Sequence, residues 1–264
     1  MVALVVAMPS MMLPGLPSDA TEIVALLAIL LGILTFAEYN TAFPSFIEFR
    51  DAPPLNRMRF LALLCMFTIL TLVAKHRLEP SEMTGLVAGF AAWIGLVTDF
   101  PFSPVHLCLL MLPADALPQT VDAVRTAAGV CYVIAMITIL WFLFVVRMLG
   151  WPTSTGAFNV WVNLPLFDPT TGGDVVYRLN SDARKNVVVG ILLPFLIPAA
   201  VALAGELFEP VALTSPQTVI WAMTAWALLP ATMVMRGIAM ARIAELIEQK
   251  RRRVYATAEA MQAA

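Results

Sequence analysis

Long stretches without a charged residue constrain this chain more than any other feature. No Asp, Glu, Lys, Arg or His occurs between Arg125 and Arg147, and most residues in that interval are apolar. A helix needs about 20 apolar residues to cross the hydrocarbon core of a membrane. Of the 264 residues only 13% are charged, against about 25% in a soluble domain. The sequence therefore predicts an all-α integral membrane protein.

The apolar stretches predict a polytopic bundle of six clear transmembrane helices, over residues 23–37, 60–74, 83–98, 122–148, 187–203 and 217–235. A shorter apolar segment at about 100–114 predicts either a thin span, which would be a seventh crossing, or a re-entrant half-helix that does not cross. Gly85 and Gly89 have the GxxxG spacing that lets two helices approach closely in lipid. The same spacing also arises by chance in a helix rich in Gly and Ala.

After the last span, the chain continues as a helix that leaves the membrane. No proline interrupts it, and apolar residues recur near helical spacing. Glu248 precedes Arg252 by four residues, an order that stabilises a helix. We therefore expect one bundle domain at 1–236, which includes an ordered polar connection at 150–186, and a C-terminal helix at 237–264.

Positive charges predict the orientation. Arg236, Arg242 and the cluster at 250–253 place the C-terminal helix in the cytoplasm, because cytoplasmic segments carry the excess of Lys and Arg. We expect the inner (cytoplasmic) membrane of a bacterium. A topology with six crossings and one with seven place almost the same number of Lys and Arg residues on the cytoplasmic side. Seven crossings are favoured, with the N-terminus outside, and they put the connections at 39–60 and 150–186 together on the cytoplasmic side.

Several functional classes lack support. The chain has no HExxH, GxSxG or GxGxxG motif, so no enzyme signature is found. Its three cysteines lie in apolar runs without CxxC spacing, which argues against a zinc site. A net charge of −2 gives no general attraction for nucleic acid. The centres of the six spans carry no ionisable residue, which argues against a proton pump or proton-coupled transporter.

One histidine is a candidate cofactor ligand. His106 lies in the short apolar segment, two residues before Cys108, and neutral imidazole binds haem iron and other metals. His76 lies between two cations at a membrane end, so a pair of histidines holding haem inside the bilayer is not expected. Apart from haem or a chlorophyll-type pigment on His106, no cofactor is predicted. The alternative is a hydrogen bond from His106 to a backbone carbonyl near the interface.

The two polar connections combine arginine with aromatic residues, the residue types that dominate protein–protein interfaces. They read FPSFIEFRDAPPLNRMRF and FNVWVNLPLFDPTTGGDVVYRLNSDARKN. Their acidic residues can pair with some of the cations, so part of each cluster is expected to be structural. The predicted partner-binding residues are Phe49, Arg50, Arg57, Arg59, Trp161, Tyr177, Arg178 and Arg184. The residues predicted to contact anionic lipid headgroups are Lys250, Arg251, Arg252 and Arg253.

Three functions remain open. The first is a non-catalytic accessory, assembly or scaffold protein that binds another membrane complex or a second copy of itself. The second is a transporter or channel for a neutral or amphipathic solute, because broken helices often line transport sites and the spans at 187–203 and 217–235 contain proline. The third is an electron-transfer or light-harvesting component that binds haem or pigment through His106.

Overall fold

Helices form all of the regular structure in the described chain. The computed structural model describes residues 1–15, 17–152, 159–167, 172–205 and 213–263, except for the side chains of residues 20, 160, 161, 262 and 263. Within these ranges no strand occurs, which confirms the all-α class. The helices are α1 (Val2–Met12), α2 (Ser18–Asn40), α3 (Leu55–Leu78), α4 (Glu82–Thr98), α5 (Pro104–Leu109), α6 (Pro118–Met148), α7 (Val160–Asn163), α8 (Val175–Gly205) and α9 (Pro216–Ala263).

Five of the described helices, α2, α3, α6, α8 and α9, are long and apolar enough to cross a membrane. Helix α4 is apolar but has only 17 residues. The segment at 100–114 was expected to make a short crossing, but its helix α5 has only six residues. Six helical residues rise about 9 Å, whereas the hydrocarbon core is about 30 Å thick. This segment therefore does not cross as a helix.

Side-chain contacts define two ends of the bundle. At one end, which we call the loop end, the connection after α6 meets the connection before α3. There the indole N–H of Trp151 donates to the carbonyl of Ala52 at 3.2 Å. At the opposite end, Gln217 at the start of α9 donates to the hydroxyl of Ser10 near the end of α1 at 2.8 Å. All 16 Lys and Arg residues lie in the described ranges, and only Lys75, Arg77 and Arg125 belong to the opposite end.

Helix α1 corrects the expected position of the N-terminus. It packs along α2, α3 and α9, with Val5 and Val6 buried, and Met1 lies at the loop end beside Arg59. The expectation put the N-terminus at the other end.

Helix α1 runs from the loop end to the opposite end, but it precedes both long connections and does not affect whether they share an end. Between the connections only α3 and α6 run from end to end, because α4 begins beside His76 and ends beside Arg125, both at the opposite end. This is two passages fewer than the four expected, so both connections still share one end.

The tightest contact between two long helices joins α8 and α9 at glycine. A Cβ atom on Gly237 of α9 would lie 2.6 Å from a methyl carbon of Val187 and 2.7 Å from the carbonyl oxygen of Ala183. A Cβ atom on Gly190 of α8 would lie 2.8 Å from the carbonyl oxygen of Pro230. Side chains at these two positions would push the helices apart, so glycine sets the distance between α8 and α9.

The predicted GxxxG pair does not form such a contact. Gly89 faces open space, and a Cβ on Gly85 would meet only the ring of His76, at 3.3 Å. Helix α4 instead approaches α6 one and a half turns later. A Cβ atom on Gly129 of α6 would lie 2.7 Å from the Cα atom of Gly95 of α4. Spacing alone did not identify which small residues face another helix.

Helices α8 and α9 continue through their prolines. Pro198 has no N–H to donate to the carbonyl of Pro194, four residues earlier in α8. The indole N–H of Trp226 in α9 donates to that carbonyl instead, at 3.1 Å. Pro230 likewise lies inside α9 without interrupting it. The broken helices that would favour a transport site are therefore not formed at these prolines.

Two helices extend further than the apolar stretches do. Helix α8 begins at Val175, so the last turns of the connection expected at 150–186 are helical. Helix α9 runs for 48 residues without interruption, which corresponds to about 70 Å. The predicted C-terminal helix is confirmed as the continuation of the last membrane helix.

Candidate functional site

Asn163 joins the two polar connections. Its side-chain oxygen accepts a hydrogen bond from the backbone N–H of Asp51 at 3.0 Å, and its carbonyl accepts one from the N–H of Phe49 at 2.6 Å. Its side-chain amide donates to the carbonyl of Asn159 at 2.9 Å. Asn163 is only 2% exposed, so water does not compete for these bonds. The two connections therefore build one ordered surface at the loop end.

An aromatic cluster supports this surface from beneath. Trp151 packs against Phe49 and Phe142, with ring centroids 5.8 and 5.4 Å away. Phe49 is completely buried and has a φ of 56°, a left-handed conformation that bulky residues rarely adopt. The buried ring and the bonded N–H of Phe49 hold this conformation. Phe49 thus shapes the first connection.

The best-buried ion pair at the loop end joins the first connection to α9. Glu48 is 6% exposed and accepts two hydrogen bonds from Arg236, at 2.5 and 2.8 Å. Arg50 donates to the carbonyls of Glu38 and Thr41 at 2.9 and 2.6 Å, at the C-terminal end of α2. A cation is favourable there because the last carbonyls of a helix carry partial negative charge. Glu48 and Arg50 thereby fix the first connection to α9 and α2.

A cavity of about 910 Å³ opens at the loop end, between α1 and α2 on one side and α3 and α9 on the other. Among the described residues that line it, three are basic and one is acidic. We call it the arginine cavity, after Arg57, Arg59 and Arg236; the acidic residue is Glu48. Its apolar wall includes Val2, Phe46, Phe60, Leu61, Leu166 and Met233. This lining suits a molecule with an anionic part and an apolar part.

Arg59 has fewer partners than its guanidinium can bind. It donates to the side-chain oxygen of Asn56 at 3.2 Å and to the carbonyl of Thr232 at 3.0 Å, both neutral acceptors. Its Nε atom is buried and has no hydrogen-bond partner. A guanidinium offers five N–H donors. Since Glu48 is bound by Arg236, the cavity keeps an excess of positive charge.

The predicted partner-binding residues fall into separate places. Phe49 is buried and Arg50 is nearly so, so both support the connection from within. Arg57 is exposed at the arginine cavity, and Arg59 lies inside it. Trp161 belongs to the short helix α7, and its side chain lies outside the described part of the structure.

The other three predicted residues lie on the first turns of α8. Tyr177 is 74% exposed and lines a groove with Tyr255 of α9. The Arg178 guanidinium lies over the ring of Phe167, 4.8 Å from its centroid. Arg184 is exposed and lines a different groove, between α6, α8 and α9. The seven predicted residues whose side chains the structure describes therefore do not form one continuous contact surface.

The C-terminal cations are partly paired within the chain. Arg252 pairs with Glu248 at 2.5 Å, as their spacing predicts. Arg251 pairs with Asp174, just before α8, at 2.8 Å. This bond holds the pKa of Asp174 below its usual range. Lys250 and Arg253 form no ion pair with another described residue.

His106 lies at the opposite end, in a charged cluster. Its Nδ1 atom is 2.7 Å from one carboxylate oxygen of Asp99, and Arg125 donates to the other oxygen at 2.8 Å. Burial raises the pKa of Asp99, but the bonds from His106 and Arg125 outweigh it and leave the pKa below its usual value. The expected alternative partner, a backbone carbonyl, is replaced by this carboxylate.

Among the described residues, no group of three or more His, Cys, Asp and Glu side chains is arranged to hold a metal ion. Comparisons of the chain with protein-family models, with curated proteins and with solved structures give no match. The functional interpretation therefore depends on the geometry of this chain alone.

Proposed function

We propose that this protein is a non-catalytic membrane component, with an accessory, assembly or scaffold role, that binds a helix of another membrane protein or of a second copy of itself. The binding element is the end of α9. One observation carries the proposal: the apolar seam of α9 continues beyond the start of α8, the helix that covers it.

The seam follows a seven-residue repeat. Met240 and Ala244 are completely buried, and Ile247 packs against the same core cluster. The pair between Arg251 and Asp174 places the start of α8 level with Arg251. Beyond that level the repeat continues with three residues that we call the tail stripe: Val254, Ala258 and Met261.

The tail stripe has no partner in the described chain. Val254 and Met261 are 58% and 76% exposed, and Ala258 is exposed as well. Apolar residues at positions i, i+4 and i+7 are the pattern that docks a helix against another helix or into a groove. Met261 lies about 37 Å along the axis from Arg236, farther than the headgroup layer extends. Another protein is therefore the better candidate to cover this stripe than lipid.

A matched pair of substitutions tests the proposal. Ala258→Glu puts a carboxylate in the tail stripe, whereas Ala256→Glu puts it on the other side of the same helix. We expect Ala258→Glu to weaken assembly about tenfold or more, because burying an unpaired carboxylate costs over about 1.4 kcal/mol. Ala256→Glu is expected to leave assembly unchanged. The mass of the full-length protein in mild detergent, measured by light scattering, reports the assembly.

Two results would contradict the proposal. In one, the wild-type protein is a monomer of 28.7 kDa with no stoichiometric companion after mild extraction. In the other, both substitutions have the same effect. The C-terminal headgroup contacts of residues 250–253 remain a separate prediction.

We infer further that the loop end faces the cytoplasm. It carries all the described cations except Lys75, Arg77 and Arg125, and cytoplasmic ends of membrane proteins carry the excess of Lys and Arg. Asp51→Cys, at a loop-end position where the native side chain is 57% exposed, is therefore expected to react with a membrane-impermeant maleimide only after cell lysis. Labelling in intact cells would show that the loop end faces away from the cytoplasm. Cys65→Ser in the same chain removes the exposed native thiol.

The haem or pigment hypothesis for His106 stays a prediction. A hydrogen bond between Nδ1 of His106 and Asp99 is favourable for it, because a second-shell carboxylate orients a ligating imidazole. An absorption spectrum of the purified protein tests it directly: without a Soret or pigment band in protein extracted from its native membrane, the hypothesis fails.

A further inference from the structure

We propose that the arginine cavity binds the phosphate headgroup of an anionic membrane lipid, with the acyl chains along its apolar wall. This site is separate from the tail stripe, and the proposal does not depend on partner binding. It follows from the charge balance in the cavity, from the unused donors of Arg59 and from the position of the cavity in the bundle.

The charge balance favours an anion. Among the described lining residues, three guanidinium groups, from Arg57, Arg59 and Arg236, face the single carboxylate of Glu48. Arg236 binds both oxygens of Glu48, so the charge of that carboxylate is already matched by one arginine. The surplus amounts to two positive charges at the mouth and wall of one cavity. A cation in low-dielectric surroundings is costly without a counter-charge, and a bound anion would supply it.

The hydrogen-bonding geometry favours phosphate among anions. Among the described residues, the Arg59 guanidinium donates only to the neutral acceptors Asn56 and Thr232, and its buried Nε atom has no acceptor. The planar fork of arginine matches phosphate oxygens two at a time. Arg57 is exposed at the same cavity and forms no ion pair with a described residue, so its guanidinium is free to close on the same group.

The apolar wall favours a lipid over a free anion. Phe60 and Leu61 follow Arg59 into α3, and Val2 of α1 and Met233 of α9 line the same space. A headgroup at Arg59 therefore leaves an apolar surface next to it that runs toward the membrane core. Helix α2 contacts only α1 among the described helices, so it lies at the edge of the bundle. The cavity lies between α2 and the rest of the bundle, where a lipid can enter sideways.

The test measures lipid affinity of the full-length protein in mild detergent after removal of native lipid. The probes are short-chain phosphatidylglycerol, phosphatidylcholine with the same chains, and inorganic phosphate. The affinity for each is obtained from the rise in the midpoint of thermal unfolding as its concentration increases. We expect phosphatidylglycerol to bind about tenfold or more tightly than either of the other probes. This corresponds to about one charge-assisted contact.

Substitutions assign the binding to the cavity. Arg59→Gln and Arg57→Gln are each expected to lower the affinity for phosphatidylglycerol about tenfold. Arg184→Gln, at an exposed arginine of the same end that lines a different groove, is the matched control and is expected to change nothing. Without added lipid, Arg59→Gln is expected to be at least as stable as wild type, because it removes an incompletely paired charge. If Arg59 had a purely structural role, Arg59→Gln would be less stable than wild type.

Each other outcome overturns the proposal. Equal affinity for phosphatidylglycerol and phosphatidylcholine would exclude recognition of net charge. Inorganic phosphate binding as tightly as phosphatidylglycerol would assign the cavity to a soluble anion. If Arg184→Gln lowered the affinity for phosphatidylglycerol by the same factor, the binding would depend on the general surface charge and not on the cavity. If Arg59→Gln does not fold, the exposed Arg57→Gln decides the result by the same criteria.

Discussion

Glu48→Gln is expected to lower the free energy of unfolding by about 3–5 kcal/mol, the usual cost of removing one partner of a buried ion pair. Glu48 is 6% exposed and holds Arg236 through two hydrogen bonds. Glutamine keeps the shape of the side chain but not its charge, so Arg236 and Arg59 are left together without the carboxylate that Arg236 binds. Unfolding by SDS titration in mixed micelles measures the change.

A second Glu-to-Gln change at the same end provides the control. Glu245 pairs with Arg242 at 2.7 Å, but its side chain is 55% exposed. Exposed ion pairs contribute about 0–1 kcal/mol, so Glu245→Gln is expected to have little effect. If the two substitutions destabilise the protein equally, burial does not determine the strength of the Glu48 pair. If Glu48→Gln folds, it is also expected to bind phosphatidylglycerol more tightly, because the one carboxylate in the described lining of the arginine cavity is removed.

Replacing both Gly190 and Gly237 with alanine is expected to separate α8 from α9, at a cost of about 1–3 kcal/mol for each substitution. The added Cβ atoms would lie 2.6–2.8 Å from side-chain and backbone atoms of the facing helix. Backbone carbonyls at Ala183 and Pro230 cannot move without shifting a whole helix. The thermal midpoint in mild detergent, together with the fraction of monodisperse protein, measures the loss.

Gly89→Ala is the matched control, because it is also a glycine in an apolar helix. A Cβ atom there meets nothing within 4 Å, so we expect no comparable loss. The comparison also separates packing from helix propensity, since both sites gain the same methyl group. Equal effects at Gly89 and at the α8–α9 contact would show that close packing of these helices does not limit stability.

Hydropathy predicted the helical membrane class because it depends on composition over long windows. It did not predict where helices begin outside the membrane. Helix α8 starts at Val175, a full three turns before the apolar run, in a segment that contains Arg178, Asp182 and Lys185. Charged residues end an apolar window but do not end a helix. The expected polar connection was therefore too long.

Composition also identified the two connections as a region of interest, but it could not assign roles within them. Phe49 and Arg50 were predicted to face a partner, whereas both are used to hold the first connection in place. The internal pairing of acidic residues was expected, but not that Glu48 would select Arg236, 188 positions away in the chain. Asn163 carried no signal of its role, because its partners are backbone groups from distant segments.

The tail stripe could be predicted from the sequence. Met240, Ile247, Val254 and Met261 are spaced by seven residues, a repeat that is visible without coordinates. What the sequence does not reveal is where α8 stops covering that repeat. The boundary depends on the pair between Arg251 and Asp174, and hence on how α8 and α9 are aligned.

The uninterrupted length of α9 has a mechanical consequence. The same helix packs against α3, α6 and α8 within the bundle and then projects beyond the loop end. A rigid rod of this kind acts as a lever: a tilt of about 10° within the bundle displaces a point about 37 Å away by about 6 Å. The arginine cavity contacts α9 at Thr232, Met233 and Arg236, within the part of this rod that the bundle holds. A tilt of α9 about this contact would carry Met261 through a distance larger than the diameter of a methyl group.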